Sequence, residues 1–191
     1  MKLLLTGDSI IARHEGLGIP MINAKLKEKY PDLEIVNTAV SGINSGAFFA
    51  RLSELVLKVE QCDKLIILLG TNDLASHKQV PLPQFKKNME LIASAIVCLY
   101  WPQYVYLVSP PAVDENKQRV RRNKVVSKYS KVMKSVAEEY NFHFIDLYCE
   151  MIKHGDLKHL CCGMKNDGLH FGREGYELFA KLLEDGIKLD E

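Results

Sequence analysis

The chain has 191 residues, of which 47% are apolar and 26% charged, and its formal net charge is +1. That length can enclose a full hydrophobic core in one domain spanning 1–191, and the composition excludes disordered, collagenous and fibrous classes. Charge so near balance offers neither a nucleic-acid stripe nor an anionic-membrane patch, so no nucleic-acid partner and no membrane insertion are expected. Nothing in the pattern sets an oligomeric state.

The opening apolar run at 3–5 is too short for a signal peptide and no small-residue cleavage site follows it. No window approaches the length of a transmembrane span. The five cysteines are odd in number, and Cys161 and Cys162 are adjacent. Free thiols in a reducing compartment are the expectation, and the predicted location is cytoplasmic.

Residues 3–5 read as a strand ending at the turn Gly7-Asp8-Ser9. Residues 19–30 read as a helix stopped by Pro31-Asp32, and 34–37 as a second strand. A helix from 45 or 46 to 59 places Leu52, Leu55, Val56 and Val59 on one face. The uninterrupted apolar run 65–69 fits a strand covered on both faces, and it ends at Gly70-Thr71-Asn72-Asp73. Helical spacing returns over 85–99. A fourth strand spans 104–108, stopped by Pro110-Pro111. A long helix is predicted over 115–140, with Val125, Tyr129, Val132, Met133, Val136 and Tyr140 inward. A fifth strand at 142–145 and a last helix at 173–187 complete the pattern. Such alternation predicts an α/β fold with a parallel sheet, right-handed crossovers and helices on both faces.

In such sheets ligands bind beyond the carboxyl ends of the strands. Four segments should converge there: Gly7-Asp8-Ser9, Ser41-Gly42-Ile43-Asn44, Gly70-Thr71-Asn72-Asp73 and Asp167-Gly168-Leu169-His170. A serine becomes a nucleophile only when a base takes its proton, and Ser9 sits in a turn able to project it. A carboxylate three residues before an imidazole can bind one ring nitrogen within a single turn and leave the other free as base. Asp167 and His170 have that spacing, and Ser9, Asp167 and His170 together form a triad in chain order. Acyl transfer also needs donors for the oxyanion. The Asn72 side chain and the Gly42 and Ser9 amides can supply them, while Asp73 is read as holding its turn. The Gly-x-Ser-x-Gly elbow of the α/β-hydrolases is absent, since Gly42-Ile43-Asn44-Ser45-Gly46 has its serine one place late.

These four blocks, in this order, resemble the motifs of the SGNH/GDSL hydrolases, and they extend from residue 7 to residue 170. The resemblance implies a flavodoxin-like three-layer α/β/α sandwich with five parallel strands ordered 2-1-3-4-5. It implies Ser9 as nucleophile, His170 as general base and Asp167 as its orienting partner. It further implies an oxyanion hole of the Ser9 and Gly42 amides and the Asn72 side chain, with no cofactor and no metal. Ile10 replaces the leucine of the family name, and Phe171 stands where many members have proline.

The predicted activity is that of a serine esterase or acylhydrolase acting on small carboxylic esters through an acyl-enzyme. O-acetyl carbohydrate ranks first as substrate, then short-chain esters, then lysophospholipid. An acyltransferase with the same triad and a non-catalytic flavodoxin-like binding module are the alternatives. Ile10, Leu74, Pro110, Ala112, Val113 and Phe171, with Ala75 and Pro111, are predicted to form an apolar pocket wall. His14 and His77 follow two of the turns, but a surface role is preferred for each. Lys117, Arg119, Arg121, Arg122 and Lys124 form the longest basic cluster. It is read as the wet face and first turns of a helix, the other reading being a contact with an anionic substrate. His154, His159, Cys161 and Cys162 lack the spacing of a zinc site.

Overall fold

Five strands, all parallel, make the sheet at the centre of the computed structural model, which describes residues 1–189. They are β1 (Lys2–Gly7), β2 (Glu34–Asn37), β3 (Lys64–Leu68), β4 (Val105–Val108) and β5 (His143–Ile145), arranged β2-β1-β3-β4-β5. The registers pair Leu5 with Asn37 and with Ile66, and Ile66 with Tyr106. After β2 the chain returns past β1 to lay down β3 on its other side. The β1–β3 boundary is therefore the switch point of the sheet, where helices diverge to opposite faces and leave a crevice at the strand ends.

The period of two along each strand divides the core. Leu4, Leu65, Ile67, Val105 and Leu107 face one layer, built from α3 (Ser45–Ala50), a π-helical turn (Ser53–Leu57), α4 (Leu82–Ile96) and α5 (Asn123–Glu139). Leu3, Leu5, Ile66, Leu68, Tyr106 and Val108 face the other. That layer holds α1 (Ser9–Ala12), α2 (Met21–Lys29), α6 (Leu147–His154), α7 (Leu157–Leu160) and α8 (Arg173–Ile187). Burial on both faces accounts for the unbroken apolar run of β3. The fold is the expected three-layer α/β/α sandwich. Among the described residues no helix is long and apolar enough to cross a membrane.

The bounds of β2 and α8 are those read from the sequence, but three predicted helices are shorter, the one read over 19–30 only at its ends. The segment predicted from 45 or 46 to 59 breaks after Ala50, and the π-helical turn still buries Leu55 and Val56. The helix predicted from 115 starts only at Asn123. Tertiary hydrogen bonds hold the preceding stretch as a loop. The Asn123 side chain exchanges two 2.9 Å bonds with the backbone of Val113, and the Asp114 amide donates to the Gly168 carbonyl at 2.8 Å. Accordingly the inner face of α5 is Val126, Tyr129, Ser130, Met133, Val136 and Ala137, while Val125 is exposed. The short helices α6 and α7, each capped by an aspartate (Asp146 and Asp156), lay outside the predicted pattern.

Candidate active site

Ser9 owes its position to Gly7. At φ +138° a Cβ on Gly7 would lie 2.0 Å from the Leu68 carbonyl oxygen, so only glycine lets β1 press against β3 as it turns. Asp8 then caps α1, its carboxylate accepting from the Ile10 amide at 2.9 Å. Ser9 is the first residue of that helix, so its own amide belongs to the first-turn N–H groups that no helical carbonyl meets.

The turn carrying His170 arrives from a remote part of the chain. Asp167 organises it locally: one carboxylate oxygen accepts the amides of Leu169 and His170 at 3.1 and 3.0 Å. The other lies 2.8 Å from His170 Nδ1. With Nδ1–H donating to Asp167, Nε2 is the acceptor tautomer, and it stands 3.1 Å from Ser9 Oγ. Hydroxyl, imidazole and carboxylate thus form one continuous relay.

Burial shifts these groups. Desolvation lowers the His170 pKa, the Asp167 charge and hydrogen bond act in the opposite sense, and the Arg13 and Lys165 charges lower it further. For Asp167, burial alone would raise the pKa. The His170 amide, the imidazole and the Leu169 amide outweigh it and leave the carboxyl below its ordinary value. At neutral pH the pair is a neutral imidazole on a carboxylate, the state of a general base ready to accept a proton.

Gly42 and Asn72 complete the crevice mouth. Gly42 takes φ +81°, and a Cβ there would approach Lys78 Nζ to 2.7 Å, while Lys78 itself donates to the Gly42 carbonyl at 2.8 Å. Asn72 Nδ2 donates to the Ile43 carbonyl at 2.9 Å, which aims the amide and ties the two loops together. Asp73 is buried and accepts the Ser45 amide at 3.0 Å and its hydroxyl at 2.5 Å, so it braces the start of α3.

The cleft holds about 340 Å³ and is lined by Ser9, Arg13, Ser41, Gly42, Asn72, Arg121, Lys165, Asp167, Leu169 and His170. Every predicted triad and oxyanion residue is therefore on one wall or another. The predicted apolar wall is not. Ile10, Leu74, Pro110, Ala112, Val113 and Phe171 are all buried away from the cleft, and so are Ala75 and Pro111. Phe171 packs edge-on against Tyr176, and Ile10 sits on the core-facing side of α1. His14 and His77 are exposed outside the cleft.

Arg13, Arg121 and Lys165 were not foreseen as lining residues, whereas Ser41 and Leu169 belong to segments expected to converge there. Arg121 corrects the reading of the basic cluster as a wet helix face, for it is 9% exposed and its Nε donates to the Thr71 carbonyl at 2.7 Å. In the segment 154–162, His159 pairs with Asp156, and the buried Cys161 thiol reaches the Ala112 carbonyl. Among the described residues no three metal-ligating side chains converge.

A doubly wound parallel sheet with these loops at its switch point has the build of the GDSL-type hydrolases. The chain belongs to the GDSL-like lipase/acylhydrolase family, whose model matches residues 5–178. It is a carboxylic ester hydrolase of that type. A GDSL esterase/lipase of Arabidopsis thaliana is 28% identical over 100% of this chain and 89% of its own length. An acetylxylan esterase of Geobacillus stearothermophilus is 30% identical over 76% of this chain and 75% of its own. The crystal structure of the lipase/acylhydrolase from Enterococcus faecalis superposes with a TM-score of 0.84 at 28% identity, covering 98% of this chain and 95% of that one.

Proposed function

We propose that the chain hydrolyses small esters, short in the acyl part, through an acyl-enzyme on Ser9. The observation that carries this reading is the unbroken relay from Ser9 Oγ through His170 to Asp167, at 3.1 and 2.8 Å. His170 Nε2 takes the hydroxyl proton as Oγ attacks the ester carbonyl. Asp167 holds the imidazole in the required tautomer and steadies the cation formed. The Ser9 and Gly42 amides and Asn72 Nδ2 receive the developing oxyanion. The imidazolium returns its proton to the departing alcohol, and a water activated by the same base then releases the acid.

The lining supports a small acyl group. Among the described residues Leu169 is the only apolar side chain on the cleft wall, so a long alkyl chain would find no dry surface there. An acetyl ester of a hydroxylated alcohol suits such a polar mouth, and the similarity to an acetylxylan esterase agrees with it. Turnover of short p-nitrophenyl esters by Ser9→Ala is the test. Loss of at least about a thousandfold in kcat, in a variant that stays folded, is expected. Undiminished turnover would refute the nucleophile.

A further inference from the structure

The charges around the cleft do not balance. Three cations line it, Arg13, Arg121 and Lys165, against the single carboxylate of Asp167, which His170 already occupies. Arg13 has its own partner in Glu15, whose second oxygen accepts the Met164 amide at 2.6 Å. Among the described residues Arg121 and Lys165 have no ion-pair partner. Lys165 is exposed at the rim and makes no ion pair among the described residues. Arg121 is nine-tenths buried and spends only Nε, on the Thr71 carbonyl. Neither terminal nitrogen of its guanidinium has a hydrogen-bond acceptor among the described residues, although the side chain lines the cleft.

Anchoring the Thr71 loop takes one N–H, which a neutral side chain could provide. The terminal nitrogens are not sealed in the core, so the fork stays open to the cleft, and its planar geometry matches an oxyacid at two points. Asp8 and Asp167 act on it through charge alone. The open end of the fork therefore faces the space where substrate must sit.

Resting on the Ser9 reading above, we infer that the physiological substrate is an anionic ester, whose carboxylate or phosphate is held by Arg121 and Lys165 beside the scissile bond. Arg121 supplies the bidentate contact and Lys165 the rim charge that draws the anion in.

Three matched ester pairs test this, each differing in one anionic group. The first is p-nitrophenyl hemisuccinate against p-nitrophenyl butyrate, with a carboxylate on the acyl side. The second is 3-acetoxybenzoate against its methyl ester, with a carboxylate on the alcohol side. The third is 1-acetylglycerol 3-phosphate against 1-acetylglycerol, which presents a phosphate. In at least one pair, kcat/KM for the anionic member should exceed that of its neutral partner by about tenfold or more. Which pair does so identifies the anion and its side of the ester. That preference should shrink by about tenfold in Arg121→Gln and severalfold in Lys165→Gln, and should fall as salt is raised. Lys165→Gln alters only an exposed side chain, so the test survives if Arg121→Gln fails to fold.

Equal or weaker turnover of every anionic member, with Ser9-dependent hydrolysis of the neutral ones, overturns the inference and leaves the esterase reading standing. A preference that persists in both variants also overturns it. Absence of Ser9-dependent turnover in all three pairs overturns the esterase reading and this inference with it.

Discussion

Asp8→Asn should stabilise the protein at neutral and alkaline pH. Asp8 is fully buried, and desolvation raises its pKa from the ordinary 3.8 to about 6. The neighbouring Asp73 charge adds to that, while the Thr71 hydroxyl, the Ile10 amide and the Arg121 charge oppose it. The folded state therefore binds the Asp8 proton more tightly than the unfolded state does. Stability falls as pH rises from the unfolded pKa to the folded one, and above about pH 6 the whole penalty is present. A displacement of about two units at 1.36 kcal/mol each corresponds to about 3 kcal/mol. Asparagine keeps an oxygen to cap α1 and carries no charge to desolvate.

Urea unfolding of both proteins at about pH 4.5 and about pH 8 measures the effect. The advantage of Asp8→Asn should grow by about 2 to 3 kcal/mol between the two conditions. Any constant effect of the substitution on packing cancels in that comparison. Stability curves that run parallel in pH would refute the argument that burial of a charge at Asp8 costs stability.

Phe171→Ala should cost about 3 to 5 kcal/mol, since it empties a fully buried ring site against Tyr176 and Phe179. Its relative activity across acyl lengths should not change, and a changed profile would return Phe171 to the pocket wall. For the wild type, kcat/KM on a neutral acetyl ester should fall in acid as His170 becomes protonated, with the inflection below the ordinary histidine value. Lys165→Gln removes a charge that lowers the His170 pKa, so the acidic limb should move to higher pH. A limb that stays in place or moves down would contradict the assigned base.

Much of this architecture was legible because its signals are local. The run 65–69 was read as a strand covered on both faces, and β3 bears that out. Asp167 and His170 lie within one turn, so their partnership could be read from spacing alone. Ser9 was legible through its company at the other strand ends. The pocket wall was misread because sequence neighbours were taken for spatial ones. Ile10 follows Ser9 and Phe171 follows His170, yet each turns into the core as its neighbour faces the cleft. Arg121 was hidden for another reason: its place depends on Asp114, Gly168, Val113 and Asn123 holding 115–122 out of the helix. No local propensity reports such long-range bonds. The reading of an anionic contact for that basic cluster, set aside in favour of a solvated helix face, gains its support from that loop.

We propose Ser9 as a nucleophile activated by His170. Intact-mass and peptide analysis after exposure to a fluorophosphonate tests it most directly, because the reagent requires an activated serine and no knowledge of the substrate. A single adduct on Ser9 is expected, absent in Ser9→Ala and formed far more slowly in His170→Ala. A chain that stays unlabelled, or an adduct on any other serine, would contradict it.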